Sequence, residues 1–121
     1  MDDPDHPVCV EVLSRPDLRL VVPALVLAEV TYFIGTRLGP GAEARFWRGV
    51  AVLEVEAPLP DEQVRIAELV EEYGDFPLGG TDASVIALAE RLDATTIVTL
   101  DHRHFGAVRP RHAAAFSLLP A

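Results

Sequence analysis

The sequence contains no lysine and only one cysteine, Cys9, among its 121 residues. A single cysteine excludes a disulfide framework and favours a reducing compartment, and Cys9 is predicted to be a small buried apolar residue rather than a reactive thiol. The longest apolar runs fall far short of the roughly 18 residues that a membrane-spanning helix needs. The N-terminal segment MDDPDHP also lacks the apolar region of a secretory signal. These absences predict a soluble cytoplasmic protein.

Positive charge is also scarce, since ten arginines face 19 acidic residues and the net charge is −9. A protein that binds nucleic acid only by neutralising phosphates is expected to be basic, so a passive coating role is excluded. A substrate held through a metal ion remains compatible with this charge. The length is that of one domain, and a 50% hydrophobic composition argues against disorder.

The apolar pattern alternates between strands and helices. The predicted strands are Leu18–Val22, Val50–Glu56, Thr95–Leu100 and Phe116–Leu119; the predicted helices are Ala24–Arg37, Ala42–Arg48, Asp61–Tyr73 and Asp82–Leu92. Pro23 is expected in the first turn of a helix, Gly39 to Gly41 at a helix end, and Thr81 as a helix cap. This alternation predicts an α/β domain with a mostly parallel sheet.

Three carboxylates occupy unusual positions. Glu29 lies in an almost wholly apolar helix, either on a narrow outward stripe or at the edge of the core facing a ligand. Asp82 opens a helix on the side of its apolar stripe, where it either complements the helix dipole or serves chemistry. Asp101 follows a strand directly, and is either part of an Asx turn or placed where open α/β sheets bind ligands.

Together the three carboxylates favour a divalent cation. If they converge, their repulsion raises at least one pKa, and a cation offsets that repulsion. Mg²⁺ or Mn²⁺ takes oxygen ligands and retains positions for water and phosphate. Such a site activates water for an in-line phosphoryl displacement, which reconciles an acidic protein with an anionic substrate.

The segment after Asp101 is locally positive. It contains His102, Arg103, His104, Arg109, Arg111 and His112. Arginine can hold backbone phosphates beside a metal, although for each of these residues taken alone a solvated edge is the better interpretation. Arg103 and His104 are the predicted RNA-binding residues because they adjoin Asp101. Ser84 is interpreted as a helix-surface or capping residue, and no phosphate-loop or zinc motif occurs.

The segments LVVPALVLAEVTYFI and YGDFPLGGTDASVIALAERLDATTIVTLDHRHF resemble PIN-domain ribonucleases of the VapC toxin type. The resemblance implies a three-layer α/β fold and a Mg²⁺- or Mn²⁺-dependent endoribonuclease in which a metal-activated water cleaves RNA. It assigns Glu29, Asp82 and Asp101 as metal ligands and catalytic residues. It also implies a cognate antitoxin as partner and, in many members, a homodimer.

One departure from the family concerns the N-terminus. Family members begin with a central strand that ends in a ligand Asp, whereas residues 1–121 are predicted to form a single PIN-like domain that lacks this strand. Asp2, Asp3 and Asp5 are interpreted as a solvated turn and not as replacements. A sheet without its central strand has a gap with unpaired backbone groups.

A start site placed too late is the simplest explanation of this departure. Weak Mn²⁺ binding and slow or absent cleavage are then expected. The alternative function is a catalytically impaired remnant that still binds an antitoxin, and a third is another phosphate-handling α/β hydrolase.

Overall fold

The fold is given by a computed structural model, which describes residue 11, residues 14–99 and residues 101–120. The interpretations of Cys9, Asp2, Asp3 and Asp5 lie outside these residues. From residue 14 onward the elements are β1 (Val21–Pro23), α1 (Ala24–Leu38), α2 (Pro40–Val50), β2 (Glu54–Glu56), α3 (Pro60–Glu72), α4 (Gly80–Arg91), β3 (Thr96–Val98), α5 (His102–Ala107) and β4 (Ser117–Leu119). None of these helices combines the length and apolar character needed to cross a membrane.

The four strands form two parallel sheets of two strands each. β1 pairs with β2, with Val22 opposite Val55, and β3 pairs with β4, with Ile97 opposite Leu118. Helices lie between the paired strands along the chain, as crossover connections of parallel strands require. The α/β class predicted from the apolar pattern is therefore confirmed.

A cavity of about 490 Å³ lies between the two sheets. Its lining is mostly apolar and includes Val22 of β1, Ile97 of β3, Val26 of α1 and Val85 of α4. Within the described part of the chain, no strand pairs with both β1 and β3. The sequence analysis predicted that this chain lacks the family's first strand. That prediction concerns the region before residue 11, which lies outside the described residues, so it stays a prediction.

Helix α4 supplies the centre of the hydrophobic core. Its Ala83 and Ile86 are fully buried, and it packs against α3, whose Leu69 is also fully buried. Burial of one such Leu or Ile side chain contributes roughly 1.5–3 kcal/mol. Arg65 of α3 also donates two hydrogen bonds, of 2.8 and 3.0 Å, to the carboxylate of Glu90 on α4. Apolar packing and an ion pair thus fix the helix that carries Asp82.

Several element boundaries differ from the sequence prediction by one to four residues, and two of these differences have a clear local cause. Helix α2 begins at Pro40 rather than Ala42, because Gly39 alone, at a φ of 87°, separates it from α1 and proline is well suited to a first helical position. Strand β2 begins at Glu54 rather than Val50, because Val50 is a buried residue in the last turn of α2.

The start of α4 corrects two further expectations. The residue that caps this helix is Gly79, so the prediction that Thr81 is the cap was wrong. Ser84 is 3% exposed, and its hydroxyl donates to the Thr81 carbonyl at 2.6 Å. Ser84 is therefore a buried residue with a satisfied hydroxyl and does not lie on the helix surface.

Candidate metal centre

Three side chains that can bind a metal converge beyond the carboxyl end of β3. They are Asp82, Asp101 and His104, and one ligand atom from each lies within 4.8 Å of the others. Asp82 lies in the first turn of α4, whereas Asp101 precedes α5 and His104 lies within it. The position matches the end of an open parallel sheet at which α/β proteins bind ligands.

Hydrogen bonds fix the orientation of Asp101. The backbone N–H of His104 donates to its Oδ1 at 3.0 Å, and Nδ1 of the His104 ring lies 2.8 Å from its Oδ2. The backbone N–H of Asp101 in turn donates to the Thr99 hydroxyl at 3.0 Å. Asp101 therefore caps the start of α5, and these hydrogen bonds hold its carboxylate in one position beside His104.

The two aspartates have pKa values shifted in opposite directions. Burial, followed by the nearby charge of Asp101 and a smaller effect of Glu29, raises the pKa of Asp82, while His104 opposes the rise. The hydrogen bond from the His104 backbone is the main reason that the pKa of Asp101 is lowered. Asp101 is thus the readily ionised member of the pair. Asp82 carries its charge at a cost that a neighbouring cation would offset.

Glu29, the third predicted carboxylate, reaches the same cavity from α1. It is an exposed residue on α1, and it lines the same cavity as Asp82. Its charge is close enough to raise the pKa of Asp82, although it is not a member of the close group of ligand atoms. The structure therefore brings two of the three predicted carboxylates together and leaves the third at the rim.

A model of the PIN-domain family matches residues 1–109. This chain belongs to the PIN-domain family. It is also 36% identical to Ribonuclease VapC26 of Mycobacterium tuberculosis (strain ATCC 25618 / H37Rv) over 120 residues, which cover 98% of this chain and 89% of that protein. The resemblance to VapC-type PIN-domain ribonucleases, inferred from the sequence motifs, is confirmed.

The predicted RNA-binding residues lie beside the acidic cluster of this PIN domain. The guanidinium of Arg103 stacks over the ring of Phe76, 5.4 Å from its centroid. The ring of His104 packs against the same phenylalanine, with centroids 5.0 Å apart. Phe76 lies in the connection between α3 and α4, and no local sequence pattern predicted its place here.

Two other residues of the positive C-terminal segment have structural contacts instead. The Arg111 backbone N–H donates to Glu90 at 2.7 Å, and its guanidinium donates to Glu68 at 2.6 Å. Nε2 of His112 lies 2.6 Å from the carbonyl oxygen of Ala94. These contacts tie the segment before β4 to α3 and α4, away from the acidic cluster.

Proposed function

We propose that this PIN-domain protein is a Mg²⁺- or Mn²⁺-dependent endoribonuclease that hydrolyses RNA phosphodiesters and acts as the toxin of a toxin–antitoxin pair. The observation that carries the proposal is the cluster of Asp82, Asp101 and His104 in a chain related along 98% of its length to a protein named as a ribonuclease. We also propose that residues 1–121 form one PIN-like domain.

The side chains of the cluster fit a hard divalent cation, and the imidazole of His104 lies beside the two carboxylates. Asp82 and Asp101 provide carboxylate oxygens, which Mg²⁺ and Mn²⁺ prefer. The raised pKa of Asp82 reflects burial and nearby negative charge, and a bound cation relieves the charge component of this cost. We assign Asp82 and Asp101 as the main ligands and Glu29 as the carboxylate that approaches from α1. A bound divalent ion supplies activation of water and neutralisation of phosphate charge.

The residues of the chain have distinct roles in this proposal. Asp101 is held by the His104 backbone, so its carboxylate is oriented before substrate arrives. Asp82 is mounted on the most deeply buried helix, and its position is therefore rigid. Arg103, beside Asp101, is oriented by its stacking on Phe76 and holds a backbone phosphate of the RNA.

A cleavage assay with end-labelled single-stranded RNA tests the function. We expect the full chain to cleave RNA slowly with Mn²⁺ or Mg²⁺ and not with EDTA, and Asp82→Asn and Asp101→Asn to abolish this cleavage. Glu72→Gln, an exposed acid in the last turn of α3, is the matched control and retains activity. Metal-independent cleavage, or full activity in Asp82→Asn, would contradict the proposal.

We also propose that the protein binds a cognate protein antitoxin and forms a homodimer. Family membership supports both partners, and α1 leaves large apolar side chains exposed, including Tyr32 at 74% and Leu38 at 68%. Light scattering of the purified chain tests the dimer. Co-purification with the product of a neighbouring gene, followed by a cleavage assay of the complex, tests inhibition by the antitoxin.

A further inference from the structure

Two arginine–phenylalanine stacks are present, one on α1 with Glu29 and one beside Asp101 and His104. In one, the Arg37 guanidinium lies over the ring of Phe33, 5.1 Å from its centroid. In the other, Arg103 lies over Phe76 at 5.4 Å. The described residues contain no further cation–π pair of this kind. Both pairs lie near residues of the candidate metal site, one on the helix of Glu29 and one against His104.

The first stack belongs to the same helix face as Glu29. Phe33 and Arg37 follow Glu29 by four and eight residues, a spacing that places all three in one row along α1. Each of the three is exposed, and the Phe33 side chain keeps 55% of its surface accessible. The row therefore begins at a carboxylate that lines the cavity and leads outward along open surface.

The second stack adjoins the acidic cluster itself. Arg103 lies between Asp101 and His104 in sequence, and Phe76 contacts both Arg103 and His104 through its ring. One stack thus shares a helix row with Glu29 at the rim of the cavity, and the other adjoins Asp101 and His104 in the cluster. A strand that runs from the cluster past Glu29 and along α1 would meet both.

Neither of these arginines forms an ion pair with an acidic side chain among the residues that the structure describes. Among the described residues, ion pairs engage Arg15, Arg19, Arg65, Arg91 and Arg111, whereas none engages Arg37 or Arg103. In a chain with a net charge of −9, an unpaired arginine on an exposed surface is a local positive site. A guanidinium stacked on a ring keeps its N–H groups free for a phosphate, and the ring face can stack on a base.

We propose that Phe33 with Arg37, and Phe76 with Arg103, are two nucleotide-binding subsites that hold single-stranded RNA as it passes the metal centre. In each subsite the arginine binds a backbone phosphate and the phenylalanine contacts a base. Because such contacts do not read base edges, the subsites orient the strand with little sequence preference. The inference rests on the proposed function and assigns the path of its substrate.

Binding of short fluorescein-labelled RNA by the full chain in EDTA, where metal-dependent cleavage does not occur, tests the Phe33 subsite. Phe33→Leu removes the ring and retains an apolar side chain. We expect it to weaken binding of a normal oligonucleotide about tenfold and to leave binding of an abasic oligonucleotide of equal length unchanged. Phe76→Leu is expected to give the same contrast.

Arg37→Gln separates the phosphate contact from stacking. We expect weaker binding of both oligonucleotides and a decrease of about 0.7 in the slope of log affinity against log salt, the value for one phosphate contact on a single strand. Arg48→Gln is the matched control, since Arg48 is an exposed arginine of the neighbouring helix α2 and is not stacked on a ring. It is expected to leave affinity and slope unchanged.

Several results would overturn the inference. Wild-type affinity in both Phe33→Leu and Arg37→Gln would do so, as would equal losses with normal and abasic RNA in Phe33→Leu. Normal RNA binding combined with lost antitoxin binding would assign this face to a protein partner instead. The cleavage assay keeps the two proposals apart: RNA binding through these residues without cleavage refutes only the proposed function, and cleavage unaffected by the variants refutes only the subsites.

Discussion

Replacement of Asp82 by asparagine is expected to stabilise the metal-free protein while removing its metal site. Asp82 is half-buried at the start of α4, and burial together with the charge of Asp101 raises its pKa. An acid whose pKa is raised by folding destabilises the folded protein at a pH above that raised pKa. The lost stability returns as the pH falls through the raised pKa. Asparagine keeps the shape of the side chain and removes the charge.

The size of the effect follows from the separation of the two carboxylates. Oxygens of Asp82 and Asp101 lie within 4.8 Å, where two like charges repel by about 0.9 kcal/mol in water and about 3.5 kcal/mol at an effective dielectric constant of roughly 20. Both residues retain solvent contact, so the lower part of this range applies. Loss of the helix-dipole interaction subtracts about 0.3–1 kcal/mol. A net gain of roughly 0.5–1 kcal/mol at pH 7 and low salt is expected.

Urea denaturation of wild type and Asp82→Asn, each in EDTA and in Mn²⁺, measures both effects. In EDTA the variant is expected to have the higher midpoint with an unchanged slope. In Mn²⁺ at about 100 times its dissociation constant the wild type gains about 2.7 kcal/mol, whereas the variant gains little. The order of the two midpoints is therefore expected to reverse when metal is added.

Asp61→Asn is the control, because Asp61 is also an acid in the first turn of a helix, α3. The dipole alone predicts a loss of stability for both variants, whereas burial of the Asp82 charge and its repulsion by Asp101 predict a gain for Asp82→Asn. A lower midpoint for Asp82→Asn in EDTA refutes the electrostatic reasoning. An undiminished gain from Mn²⁺ in that variant refutes the assignment of Asp82 as a ligand.

The remaining predictions concern the scaffold. Glu90→Gln removes the closer of the two anionic partners of the 11% exposed Arg65 side chain and leaves it only Glu68, at 3.5 Å. The change is expected to cost about 2–3 kcal/mol in urea denaturation at pH 7. Contacts with Arg65 and the Arg111 backbone hold the pKa of Glu90 below its ordinary value of 4.5 despite burial. The difference in stability between wild type and Glu90→Gln should therefore shrink as the pH falls from about 4.5 through the pKa of Glu90 in the folded protein. A difference that grows on acidification would contradict this prediction. Ile86→Ala, at a fully buried site, is expected to lower the free energy of unfolding by about 2–5 kcal/mol, and a loss below about 1 kcal/mol would show that the site can collapse. Gly39→Ala places a side chain at a φ of 87° with no atom within 4 Å of its Cβ, so a thermal melt should show a loss of about 1 kcal/mol from backbone strain alone.

The sequence predicted the helices and strands because their apolar spacing is a local property. The periodicity of α3 and α4 and the β-branched run of β3 are visible in short windows of sequence. Boundaries were less predictable, because they depend on tertiary contacts. Val50 belongs to a β-rich run and yet ends α2, since its burial there outweighs the local preference.

The sequence motifs also predicted the family, which the family match and the VapC relative confirm. They named Glu29, Asp82 and Asp101 as candidate ligands. Asp82 was chosen because it opens a helix on the side of its apolar stripe, and Asp101 because it follows a strand where open α/β sheets bind ligands. Their assignment as ligands stays a proposal.

Only the tertiary structure decided which side chains meet. It brings His104 onto the Asp101 carboxylate through a short helix that the sequence analysis did not predict. It leaves Glu29 at the rim of the cavity and stacks Phe76 on Arg103 across 27 positions of sequence. Helical and strand periodicities follow from the geometry of neighbouring peptide units and are therefore written in local sequence. The approach of distant charges and rings depends on how whole elements pack, and it becomes known only when the chain is folded.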